Sequence, residues 1–89
     1  MPEWTPIQLA HFVATADAPG LGQAARKLKL RRPDLVASLG SLEHALGVML
    51  FDRHDHFHLT PIGKEFLPRA RHMLQHMNDL QHAVDLLHD

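Results

Sequence analysis

The sequence predicts a mainly helical domain: three short helices and a two-stranded hairpin, followed by one long C-terminal helix. Three patterns predict it. Leu35, Leu39, Leu42 and Leu46 recur at steps of four, three and four, which is one apolar face of a helix. Thr5-Pro6 and Thr60-Pro61 each set a hydroxyl cap ahead of a proline at the first helical position. Phe66, Ala70, Met73, Met77, Leu80, Val84 and Leu87 alternate steps of four and three, a coiled-coil seam over three heptads.

Bulk properties narrow the class. Eighty-nine residues, 45% of them apolar, suit one domain with a modest core and exclude a disordered tail. Without cysteine there is neither a disulfide framework nor a thiolate metal site. No apolar run approaches the ~18–20 residues that span a bilayer. The opening MPEWTPIQ lacks the charged start and apolar run of a secretory signal, so a soluble cytoplasmic protein without a membrane partner is expected. Net charge is −1, but it is unevenly spread. Arg26, Lys27, Lys29, Arg31 and Arg32 crowd one short stretch, whereas Asp79, Asp85 and Asp89 collect at the far end. A local patch of this kind can steer a polyanion even when the sum does not. Nine histidines add charge only toward mildly acidic pH.

The first helix is expected to run from Pro6 to about Asp17, with Leu9, Phe12, Val13 and Ala16 as its buried stripe. Pro19-Gly20 breaks the chain. Gly22 is the expected cap of a second helix reaching Lys29, with Leu21 packing back onto it as a staple. The small pair Ala24-Ala25 lets helices approach closely. Leu28 and Leu30 bracket a tight turn, and a third helix follows from about Arg32 to Leu46. Pro33 sits in its first turn, where no hydrogen bond is lost, and Gly47 ends it in a left-handed cap. Two helices joined by a short turn, with cations where the second begins, form the layout of a DNA-reading helix-turn-helix.

Several motifs in order carry a resemblance across nearly the whole chain. They are L-x-x-F-V (Leu9, Phe12, Val13), A-A-x-x-L (Ala24, Ala25, Leu28), Pro33, L-E-x-x-L-G-V-x-L-F-D-R (Leu42 to Arg53) and L-T-x-x-G (Leu59, Thr60, Gly63). The chain resembles the N-terminal winged helix-turn-helix domain of LysR-type transcriptional regulators. The resemblance implies a winged reading domain over residues 1–60 and a linker or dimerisation helix over 61–89. It implies double-stranded operator DNA as partner, met through Gln23, Lys29, Arg31, Arg32, Pro33, Asp34, Val36, Ala37, Ser38, Ser41, His54 and His56. It also implies a homodimer through the seam Phe66, Ala70, Met73, Met77, Leu80, Val84 and Leu87, and a larger effector-binding domain joined after the last helix. No cofactor is implied.

The chain departs from the family pattern at the reading positions. Pro33 is commonly preceded there by a serine and a glutamine, with a serine and an arginine a turn later; here stand Arg31, Arg32, Val36 and Ala37. Either arginine can hold phosphate or read guanine O6 and N7. Asp34 beside them repels phosphate unless it pairs with one of them, and Ser38 and Ser41 are the polar candidates further along. Solvated surface arginines are the plainer alternative.

Val48 to Asp52 and Phe57 to Thr60 read as the two strands of a wing. The connection HDHFH is one residue shorter than the family's usual one and lacks the glycine and arginines often found there; arginine in a wing tip normally reaches into the minor groove. His54, His56 and His58 alternate, so in a regular strand they share one face. The resemblance implies that Arg53 pairs with a nearby carboxylate against the core and does not contact DNA.

Thr60-Pro61 starts a helix expected to reach about Leu87 and to bend at Pro68. Its first two turns can pack within the domain; the rest needs a second copy. His72 and His76 stand four apart, a spacing that can hold zinc, but a two-residue pair is a weak site and solvated histidines are the expected reading. Three function classes compete. A dimeric, sequence-specific DNA-binding domain reading a palindrome is favoured; a dimerisation or protein-interaction module on the same fold is the alternative. An enzyme is not expected, since the sequence has no cysteine nucleophile, no glycine-rich phosphate loop and no metal signature of catalytic quality.

Overall fold

In the computed structural model, which describes residues 3–88, Thr5 starts α1 (Pro6–Asp17). Its hydroxyl accepts from the Gln8 amide, and the Gln8 side chain accepts from the Thr5 amide at 2.8 Å. This reciprocal box satisfies two donors that a helix start leaves free. The expected stripe faces inward: Leu9 and Phe12 are buried, and Val13 and Ala16 pack at the edge of the core.

The second helix, α2 (Leu21–Leu28), begins two residues earlier than expected. Gly20 and not Gly22 is its cap, and its carbonyl accepts the Ala24 amide at 3.1 Å. Leu21 is therefore a helical residue, not a staple ahead of the cap. The reason lies in Pro19-Gly20, which already turns the chain, so no residue is left over for a separate cap. Ala24 and Ala25 are buried, as close helix approach requires. Lys29 closes α2 in the left-handed conformation (φ 59°), and the Leu30 amide reaches back to the Ala25 carbonyl at 2.9 Å. Two residues later α3 (Arg32–Leu46) begins, with Pro33 in its first turn and Gly47 (φ 75°) as its left-handed cap. Leu35, Leu39 and Leu42 are buried, completing the helix-turn-helix.

The wing is shorter than expected. Its strands, β1 (Phe51–Asp52) and β2 (His58–Leu59), pair antiparallel with Phe51 opposite Leu59 and Asp52 opposite His58. The amides of Leu50 and Phe51 donate to a side chain, Glu43, at 2.6 and 3.1 Å, which takes them out of any longer ladder. Residues 53–57 form a turn in which His56 (φ 51°) and Phe57 (φ 59°) are both left-handed. The expected alternation of His54, His56 and His58 on one face therefore does not hold.

The last helix, α4 (Pro61–Leu87), is capped by Thr60, whose hydroxyl accepts from Gly63 at 3.0 Å, and it continues through Pro68. Gly63 is required here: a Cβ at this position would overlap the Leu50 carbonyl, so only glycine lets α4 approach the wing this closely. The core sits where α1, α3, α4 and the wing meet. Phe12 is fully buried, with the rings of Phe51 and Phe66 each 5.4 Å from its own. Arg71 on α4 clasps Asp17 at the end of α1 through a two-pronged ion pair, one hydrogen bond of which measures 2.9 Å.

Of the expected seam, Phe66 and Ala70 belong to this core; Ala70 is only 2% exposed and has no surface to offer a partner. The remainder of the helix projects away, giving the molecule its 50 Å length. Met73, Met77, Leu80, Val84 and Leu87 are all exposed there. Among the described residues no helix is long and apolar enough to cross a membrane. Asp89, part of the expected acidic end, lies outside the described residues.

Candidate nucleic-acid interface

With Leu35, Leu39 and Leu42 buried, helical geometry turns Pro33, Ala37, Ser41 and His44 outward, and all four are exposed. His44 was not among the expected contacts, although its spacing of seven from Ala37 puts it on the same face. Val36 is half-buried on the flank. Ser38 is turned the other way: its hydroxyl lies 2.7 Å from Nδ1 of His11 on α1. This serine therefore ties α3 to α1. Burial holds the His11 imidazole below its ordinary pKa, favouring the neutral ring that this contact can use as donor or acceptor.

The cations gather at the turn between α2 and α3. Arg26, Lys27, Lys29, Arg31 and Arg32 are all exposed, as an interface with a polyanion requires. Asp34, at the first turn of α3, is engaged: its Oδ2 lies 3.6 Å from Nε of Arg31. With side-chain exposures of 87% and 58%, this pair is loose enough for a phosphate to displace. Arg32 instead lies back along α2, its guanidinium beside Gly22. The two arginines adjacent in sequence thus point to different places.

The wing is pinned to α3 by one buried carboxylate. Glu43, only 4% exposed, accepts the Leu50 and Phe51 amides on Oε2, while Oε1 faces Nη2 of Arg53 at 2.6 Å. Arg53 is thus the carboxylate partner that the family resemblance implies, and its guanidinium also covers the Phe57 ring at 5.3 Å. In the sequence Glu43 is marked only as the fixed glutamate of the L-E-x-x-L-G-V motif and as a charge on the apolar side of an amphipathic helix; neither shows which amides it holds. Phe57 folds back onto Phe51 (6.1 Å between rings), leaving His54 and His56 exposed at the tip. The His56 and His58 rings stand 6.4 Å apart. Gln23, Arg26 and Arg32 face His56 and His58 across an open groove, a grouping that sequence order does not reveal.

His72 and His76 line a shallow depression of α4 with Arg69 and Met73, and no third metal-binding side chain joins them among the described residues.

Residues 7–64 match the family model described as the bacterial regulatory helix-turn-helix protein, lysR family. The chain belongs to the LysR family. It carries that family's helix-turn-helix DNA-binding domain. Among curated relatives, the HTH-type transcriptional regulator TfdS of Cupriavidus pinatubonensis is 44% identical over 69 residues. That match covers 76% of this chain and 23% of TfdS, so the chain spans about a quarter of the relative's length. Among solved structures, the CbnR DBD–DNA complex superposes with a TM-score of 0.88 at 29% identity, covering 96% of this chain and 99% of that one. The complex of the BenM DBD with benA site 1 DNA gives 0.87 at 26% identity, covering 93% and 98%. The LysR DNA-binding fold thus accounts for nearly all of the chain.

Proposed function

We propose that this LysR domain reads operator DNA as a homodimer, α3 lying in the major groove of each half-site and α4 joining the two copies. The observation that carries the reading is the outer face of α3, exposed from Pro33 to His44 and flanked by the exposed cations at its start. That face is small: proline, alanine and serine leave room for a close approach to base edges, while Arg31 supplies the charge. The CbnR and BenM structures it resembles are DNA complexes, which supports the same docking. In this reading residues 1–60 hold the reading elements and 61–89 the linker, although the first turns of α4 are also core. The exposed stripe from Met73 to Leu87 supports pairing with a second copy, since an apolar face of this length is otherwise left in water. In a protein of its relatives' length, an effector-binding domain would follow α4, and the whole would act in the cytoplasm on chromosomal DNA.

The experiment is selection from a random-sequence duplex pool at low and moderate salt. Enrichment of an interrupted palindrome with a steep salt slope supports the reading. Arg31→Ala is expected to cost about 1–3 kcal/mol and change the preferred sequence if Arg31 reads a base; uniform weakening assigns it to phosphate. Leu80→Asp is expected to yield a folded monomer by sedimentation, with half-site binding only. Absence of any enriched sequence or salt response would sink the reading and favour a protein-interaction module, the alternative that the near-zero net charge leaves open.

A further inference from the structure

Between α2 and the wing runs an open groove of about 750 Å³, walled by Gln23, Arg26, Arg32, His56 and His58. Its polar groups come from separate elements: the guanidinium of Arg26 from α2, that of Arg32 from the first residue of α3 and two imidazoles from the wing. A neighbouring hollow of about 420 Å³ shares His56 and His58 and adds Lys64 from α4 and Asp55 from the wing. Asp55 Oδ2 lies 3.4 Å from Nδ1 of His58. The charged groups around the imidazole pair are therefore three fixed cations and two carboxylates, Asp55 and, opposite His58 across the strand pair, Asp52. A phosphodiester in the groove brings its own negative charge beside the imidazoles, which favours the imidazolium form, and its oxygens can accept from the imidazole N–H groups.

We propose that this groove grips a backbone phosphate of DNA, and that His56 and His58 take up protons as it does so. The proposal rests on the DNA-reading function above and names a contact and its control. Arg32 makes the link to that function geometrically: it is both a wall of the groove and the first residue of α3, so a strand in the groove continues toward a duplex lying along α3. The left-handed turn at His56 and Phe57 presents the imidazoles to the groove; a regular strand would have put His54 with them. His54 is not part of the groove wall, and its amide is instead held by Asp52 at 2.9 Å. Binding is then tighter in mildly acidic solution, and the wing reports pH in place of holding a permanent cation.

The test is a fluorescence-anisotropy titration of a short random-sequence duplex with the whole chain, at constant salt, from about pH 7.5 to about pH 6. One proton taken up per binding event steepens affinity about tenfold per pH unit, so a gain on the order of tenfold across this range is expected. The double variant H56Q/H58Q is expected to bind with a nearly flat pH response, and H54Q to respond like the parent. Circular dichroism at both pH values establishes that each variant is folded. Measurable binding with no pH response, a response that survives H56Q/H58Q, or one lost in H54Q would overturn the proposal while leaving DNA reading intact. No binding at any pH or salt would overturn both.

Discussion

Removing the Glu43 carboxylate tests how the wing is held. In Glu43→Ala the Leu50 and Phe51 amides lose their acceptor, and Arg53 loses the charge 2.6 Å from its Nη2. A buried N–H left without a partner costs about 1–3 kcal/mol. Arg53 keeps 29% side-chain exposure, so water takes up part of its stranded charge, but its Nη1 is already buried without a hydrogen-bond partner. Taken together, the loss falls at roughly 3–5 kcal/mol, the range for breaking a buried pair from one side. A domain of this size holds on the order of 5–10 kcal/mol, so the variant would be near its folding limit. Glu43→Gln keeps the shape and one acceptor oxygen and is expected to lose about half as much. Urea unfolding followed by circular dichroism, at one fixed protein concentration because association adds stability, measures both. The pair is completed by Arg53→Met. If the stranded guanidinium is part of the cost, E43A/R53M is expected to be more stable than the sum of the single losses predicts, by about 1–3 kcal/mol. A loss below about 1 kcal/mol in E43A, or additivity within about 0.5 kcal/mol in the double variant, would refute the clasp.

Three further outcomes follow from other parts of the fold. Gly63→Ala drives a Cβ into the Leu50 carbonyl and is expected to cost at least about 1–3 kcal/mol by the same unfolding assay, since backbone on both sides must move. Lys29→Gly relieves a left-handed backbone at φ 59° and is expected to gain about 1 kcal/mol, while lowering the salt slope of DNA binding by about one if Lys29 meets a phosphate. Burial places the folded pKa of His11 below its unfolded value, so the folded state binds fewer protons across the intervening range. Its stabilising contribution is therefore present above about pH 6.5 and lost as pH falls through the folded value. Thermal melts between about pH 7.5 and pH 5 should show this decline, and His11→Gln should flatten it.

What the chain's order of residues determines is mostly what is local. Thr5-Pro6, Thr60-Pro61 and Gly47 mark helix ends because capping is settled within one turn, and the spacing of Leu35, Leu39, Leu42 and Leu46 identifies the buried face of α3. The LysR motifs are legible for the same reason, each being short and in fixed order. Tertiary structure decided the rest. Phe66 and Ala70 fit the same heptad seam as Leu80, yet they are core residues because α1 lies against the first turns of α4, while none of the described residues covers the last. Ser38 reads as a polar residue of a recognition helix until His11, 27 residues away in sequence, takes its hydroxyl. The wing histidines alternate as a strand would, but a ladder two residues long cannot enforce alternation, and the Glu43 carboxylate consumes the amides that would extend it. Arg26, Arg32, His56 and His58 share a groove only because α2, α3 and the wing pack around one core. Periodicity records which face a helix buries; it carries no information about which distant side chain will stand opposite, and that opposition makes the site.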